Sequence, residues 1–224
     1  TPCGTLFPYT TLFRSGYVVG QIPLSVIILN KMQDGSIPSD VQAEFMETQD
    51  MSLLGMDENW LLFLILLSFV GALGGLWLMV TKLHDKPFRI LITPHASINW
   101  RKIFYGFGLW IGLTLVAEVI FYFVDPGNYE VQFALVPFLI LLVIALALIP
   151  LQIAFEEIFL RGYLMQGFAL LASNRWLPLV LTSIIFGLLH SFNPEVTKFG
   201  FSTMMSYYIG VGLFLGILTL MDDS

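Results

Sequence analysis

Long apolar runs separated by short polar loops dominate the pattern of this chain. Four stretches, Asn59–Thr81, Ile103–Val124, Phe133–Ala154 and Phe199–Leu220, carry almost no charge. Each is at or near the length of about 20 residues that a helix needs to cross a bilayer. Two shorter apolar stretches, Gly16–Asn30 and Leu177–His190, accompany them. The first reads as part of a span, the second as a helix shielded by its neighbours. The pattern predicts an all-α, polytopic transmembrane bundle of about six spanning or re-entrant helices.

Composition supports the bilayer as solvent. The 224 residues are 57% hydrophobic and 12% charged, whereas a soluble domain carries about 25% charged residues. One core could not hide so much apolar surface from water. The loops set an orientation. Lys82, Lys86, Arg89, Arg101 and Lys102, half of the ten basic residues, fall between Lys82 and Lys102. By the positive-inside rule that loop is expected on the cytoplasmic side. Asp34, Asp40, Glu44, Glu47, Asp50, Asp57 and Glu58 fill the loop Lys31–Glu58, which is expected outside together with the turn Asp125-Pro126-Gly127-Asn128. Trp60, Trp100, Tyr122 and Trp176 stand at span ends, as interfacial aromatics do. The expected setting is a multi-pass protein of a bacterial cytoplasmic membrane, with lipid as its constant partner. The net charge of −6 comes without a basic patch, so nucleic acid is not an expected partner.

The two ends read differently from the rest. Thr5 to Ser15 spells TLFPYTTLFRS, the translation of a common short-read sequencing adapter. Residues 1–15 are therefore expected to be a scar, and the single cysteine, Cys3, lies within it. Residues 16–132 are expected to form N-terminal transmembrane helices and loops, and 133–224 a membrane core. After the last apolar run only Met221-Asp222-Asp223-Ser224 follows, and the core is expected to be incomplete at that end.

The chemistry centres on Phe155-Glu156-Glu157-Ile158-Phe159-Leu160-Arg161-Gly162-Tyr163. Ionisable groups at membrane depth cost roughly 2.5 kcal/mol or more each and persist where something satisfies them. Glu157 and Arg161 are four apart, acid before base, so they share a helix face in the favourable order. Arg161 is expected to hold Glu157 ionised through a charge-assisted, bidentate-capable bond. Glu156 points about 100° away and lacks that partner, which leaves it available as a general base. The alternative is an ion-paired helix end near the interface. His190 closes an apolar helix just before the breaker Asn193-Pro194. An imidazole there can orient a water, bind a metal, or simply cap the helix C-terminus. Glu118 is a lone acid within a span, either a functional group or a hydrogen-bond partner of another helix. His84 and His95 lie in the basic loop and are expected to be solvated. Gly71, Gly74, Gly75, Gly106, Gly108 and Gly112 are expected to let helices pack closely.

Glu156-Glu157-x-x-x-Arg161 on one apolar helix, followed by Phe186-x-x-x-His190 on the next, resembles the CAAX-protease and bacteriocin-processing family, also called Abi or CPBP. The resemblance covers roughly residues 133 to 224. It implies an endopeptidase working inside the membrane on peptides or membrane proteins. By the same resemblance Glu156 activates the attacking water, His190 holds that water or a metal, and Glu157 with Arg161 braces the site. Phe186 and Asn193 support it. A divalent metal such as zinc is a possible cofactor, with Glu156 and His190 as candidate ligands. The chain departs from the family in one respect. The family carries a later His-x-x-x-Asn-like motif, and no histidine follows His190 here. This chain is therefore expected to be inactive or nearly so. The alternative is a non-enzymatic membrane protein, a transporter or an immunity or scaffolding factor, using Glu118, Glu156 and Glu157 as a cation site.

Overall fold

The computed structural model describes residues 6–48, 50–93, 95–130, 132–172 and 174–221. Cys3 and Asp222-Asp223-Ser224 lie outside them. Among the described residues the chain is all helix, without a strand. The order is α1 (Leu6–Gln33), α2 (Ser39–Thr48), α3 (Glu58–Leu78), α4 (Trp100–Val124), α5 (Leu135–Glu157), α6 (Met165–Ala169), α7 (Trp176–Leu189), α8 (Pro194–Phe199) and α9 (Phe201–Met221). Four helices are long and apolar enough to cross a membrane: Glu58–Leu83, Trp100–Val124, Leu135–Ala169 and Phe201–Met221. They match the four expected spans to within a few residues, except at one end. This is a polytopic integral membrane bundle.

The exception matters for the site. The charges at 156, 157 and 161 read in the sequence as the inner end of a span, but the helix runs on to Ala169. It continues through a wide π-helical stretch, Ile158–Leu164, in which the N–H of Met165 reaches back five residues to the Leu160 carbonyl. Such wide turns recur at functional sites. Arg161 makes the continuation tolerable because it is buried with partners rather than exposed to lipid.

Local signals start and stop the helices. Asp57 Oδ1 accepts from Trp60 N–H at 2.9 Å and caps α3. Asn99 does the same for Lys102 N–H at 3.2 Å and caps α4. Asn174 Oδ1 takes the N–H groups of Trp176 and Leu177, each at 3.0 Å, and so opens α7. Pro194 stands in the first turn of α8, and Gly200, with φ of +87°, ends it.

α3 and α5 lie side by side and point the same way. Asn59, in the first turn of α3, donates to the Pro137 carbonyl near the start of α5 at 3.0 Å. At the other end the rings of His84 and Tyr163 meet at 6.2 Å. α1 packs along α3 so closely that a Cβ on Gly16 would strike the Gly71 carbonyl oxygen. α9 runs back along α7, where a Cβ on Gly212 would lie 3.0 Å from Ser183 Cα. Gly212→Val is therefore expected to wedge α9 from α7 and cost about 1–3 kcal/mol. Thermal unfolding in detergent, followed by tryptophan fluorescence, measures the loss.

Two expectations need correction. Gly71 does face a neighbouring backbone, but Gly74, Gly106, Gly108 and Gly112 face nothing within 4 Å of an added Cβ. The last three belong to α4, whose spanning window has no buried residue. Spacing alone marks the residues that permit packing, not whether a partner is present. His84 is half-buried against Tyr163 rather than solvated, because the loop folds back onto the tail of α5; His95 is exposed as expected.

Candidate active site

The helix that carries the acid pair descends past the level of the basic loop and turns only after Ala169. Glu156 lies 13 residues before that end, about 20 Å along the axis. α7 then climbs antiparallel, and His190 lies 14 residues beyond Trp176, about 21 Å along it. Glu156 and His190 therefore stand at the same height. A span ending at Ala154 would have left Glu156 near one end of the bundle and His190 far along α7; the helix that runs on to Ala169 brings them level. Glu156 lies roughly 10 Å inside the level of the His84–Tyr163 contact, seven residues along the helix.

The two residues line one cavity of about 330 Å³. Its polar lining is Tyr17, Gln152, Glu156, His190 and Asn193, and Phe69, Phe155 and Phe159 are among its walls. Few polar groups on an apolar wall is the usual make-up of a ligand or active site. Gln152 Nε2 donates to Glu156 Oε1 at 3.1 Å and holds that carboxylate from one turn above. Glu157 does not line the cavity. The separation of an available from a positioned carboxylate, expected from the 100° offset, is thus present in three dimensions.

Glu157 turns to Arg161, whose side chain is 4% exposed. Its Nη1 lies 3.1 Å from Glu157 Oε1. That N–H is not aligned along the contact, so the pair is an ion pair rather than the expected fork of two bonds. The other nitrogen is used elsewhere. Nη2 donates to the Gly212 carbonyl of α9 at 3.3 Å. The guanidinium also lies 4.9 Å above the Phe186 ring of α7. One buried cation therefore ties α5, α7 and α9 together just below the cavity.

His190 packs against two aromatic rings. Its ring centroid is 4.4 Å from Phe186 and 4.7 Å from Tyr208, at interplanar angles of 40° and 30°. Nδ1 lies 2.8 Å from the Phe186 carbonyl oxygen. A carbonyl only accepts, so Nδ1 carries a proton, and in the tautomer with that single proton Nε2 is the acceptor. Asn193 Nδ2 donates to the Tyr208 hydroxyl at 3.1 Å. The Phe-x-x-x-His spacing thus serves two ends: the Phe186 carbonyl sets the tautomer and its ring sets the plane.

Gln152 and Tyr208 escaped the sequence reading. Gln152 had a signal, as the one polar residue on the acid helix one turn before Glu156. Tyr208 had none, because tyrosines are common near the ends of spans. Glu118 stays apart from the acid pair. It lies on the exposed α4 and accepts from the Tyr129 hydroxyl at 2.9 Å, whose proton it holds more tightly than usual. A catalytic zinc site uses three protein donors. The cavity offers two suitable ones, the Glu156 carboxylate and His190 Nε2. No group of three or more His, Cys, Asp or Glu side chains that could hold a metal gathers among the described residues.

The cavity thus carries one carboxylate and one histidine beside a buried Glu–Arg pair on apolar, span-length helices. Residues 133–224 match the family of the type II CAAX prenyl endopeptidase Rce1-like proteins. The chain is also 40% identical over 141 residues to the uncharacterized protein YyaK of Bacillus subtilis (strain 168). That alignment covers 61% of this chain and 46% of the relative, so the chain spans about half the length of the curated relative it matches. No solved structure matches the chain.

Proposed function

We propose that this protein is an intramembrane endopeptidase that hydrolyses peptide bonds of membrane-associated peptides or proteins with a Glu156-activated water. The observation that carries the reading is the meeting of Glu156 and His190, from separate helices, on one largely apolar cavity.

The chemistry follows from the two side chains. A water between them gives one proton to the Glu156 carboxylate and a hydrogen bond to His190 Nε2. Its oxygen attacks the scissile carbonyl carbon, and the carbonyl electron pair moves to oxygen. Glu156 then passes the proton to the departing amine as the C–N bond breaks. The oxyanion's electron pair re-forms the carbonyl; water is consumed, a carboxylic acid and an amine are released, the acid's proton passes to the amine, and Glu156 returns to its starting state. Gln152 orients the carboxylate, and the Phe186–Tyr208 clamp orients the imidazole. Zinc would need a donor beyond Glu156 and His190, so the proposed steps use water alone.

The test is cleavage by the complete reading frame in proteoliposomes. The panel is a farnesylated peptide ending in a CAAX sequence, the same peptide without the lipid, and an unrelated transmembrane peptide. Cleavage of at least one is expected, and His190→Ala is expected to slow it by about 100-fold. Uncut peptides throughout, with the protein folded, would favour a non-enzymatic role. Preference for the farnesylated peptide would assign prenyl-protein processing, and its absence peptide maturation or turnover.

A further inference from the structure

A second cavity, of about 330 Å³, opens where α3, the basic loop and the tail of α5 come together. It is separate from the site above. Glycine at 162 makes it possible, since a Cβ there would strike the Leu91 carbonyl oxygen and push the loop away. Val80, Ile90, Leu91 and Leu170 give it an apolar wall. Its polar lining is His84, Lys86, Tyr163 and Gln166.

Tyr163 is the informative residue. It is 9% exposed, and its hydroxyl has no hydrogen-bond partner among the described residues. A buried hydroxyl without a partner costs about 1–3 kcal/mol, so an acceptor is expected against it. The surroundings state the sign of that acceptor. Lys86 stands on the lining, and Arg89 is in the same loop. Asp85, the one acid between Lys82 and Lys102, is not on the lining. The wall states the rest. A free anion gains nothing from Val80, Ile90 and Leu170, whereas an amphiphile buries its first methylenes there. The cavity also sits at the ends of spanning helices, where lipid headgroups lie.

We propose that this cavity binds the phosphoryl headgroup of an anionic membrane lipid, with the Tyr163 hydroxyl donating to a phosphoryl oxygen, Lys86 supplying the opposite charge and the apolar wall taking the start of an acyl chain. The bound lipid fastens the basic loop to the tail of α5. Its binding does not depend on any peptidase activity.

The experiment reconstitutes the chain in nanodiscs of phosphatidylglycerol and phosphatidylcholine and reads the retained lipid by native mass spectrometry. Phosphatidylglycerol is expected to be retained about tenfold over phosphatidylcholine, which has the same phosphoryl oxygens but no net charge for Lys86. Lys86→Ala is expected to remove most of that preference. Tyr163→Phe removes only the unpartnered oxygen, so the fold is expected to hold while retention of phosphatidylglycerol falls about tenfold. Equal retention of the two lipids overturns the proposal, as does unchanged phosphatidylglycerol retention in Tyr163→Phe. Displacement of the lipid by millimolar inorganic phosphate would assign the site to a free anion and overturn the lipid reading.

Discussion

Arg161→Ala is expected to destabilise the protein by about 3 kcal/mol, the low end of the range for breaking a buried ion pair. Three contacts go at once: the pair to Glu157, the bond to the Gly212 carbonyl and the stacking on Phe186. Glu157 is then left half-buried without its cation. The low end applies because the Glu157 side chain keeps 33% of its exposure, so water reaches part of it. Thermal unfolding in detergent reads the effect. The double variant Glu157→Gln, Arg161→Met separates charge from packing. It removes the uncompensated carboxylate and restores apolar volume, so it is expected to recover part of the loss. If the double variant unfolds as early as Arg161→Ala, the cost lies in the Gly212 bond and the α9 contact, not in the stranded charge.

Glu156→Gln is expected to abolish cleavage while leaving the fold intact. The change is nearly isosteric, and the amide can still meet Gln152. It removes the one group proposed to take a proton from water. A positioned general base contributes about 10² to 10⁴ in rate, and the variant is expected to lose about 10³-fold in kcat with little change in KM. Glu157→Gln separates the two acids. Glu157 faces Arg161 and not the cavity, so its loss should appear first as lowered stability and only through that as lowered rate. Equal loss of kcat in both variants, at equal stability, would mean that the carboxylates share the chemistry.

Much of the fold was legible because a bilayer imposes a length. A run of apolar residues is either long enough to cross or it is not, and four helices are. The different placement of the two acids was legible from helix geometry. Glu157 and Arg161 share a face at a spacing of four, which throws Glu156 to another. Less was legible where charge and burial compete. Three ionisable residues within six positions read as the end of a span, yet Arg161 is buried by partners on α7 and α9 that no local pattern announces. The extra 15 residues of helix after Ala154, and with them the common height of Glu156 and His190, depend on those distant contacts. Tyr208 is hidden for the same reason, since its value lies in packing against His190 from another helix. α4 is the opposite case. Its apolar length was plain, but its glycines promised a packing that the structure does not contain.

The proposed hydrolysis requires Glu156 and His190 to act on the same water in one cavity. A double-mutant cycle on the cleavage rate tests that most directly, using the complete reading frame with Glu156→Gln, His190→Ala and the two combined. Residues that work as a unit are not additive. The account predicts that the double variant is no slower than the slower single one. Losses that multiply, so that the double variant falls by the product of the two, would contradict it and place the two residues in independent roles.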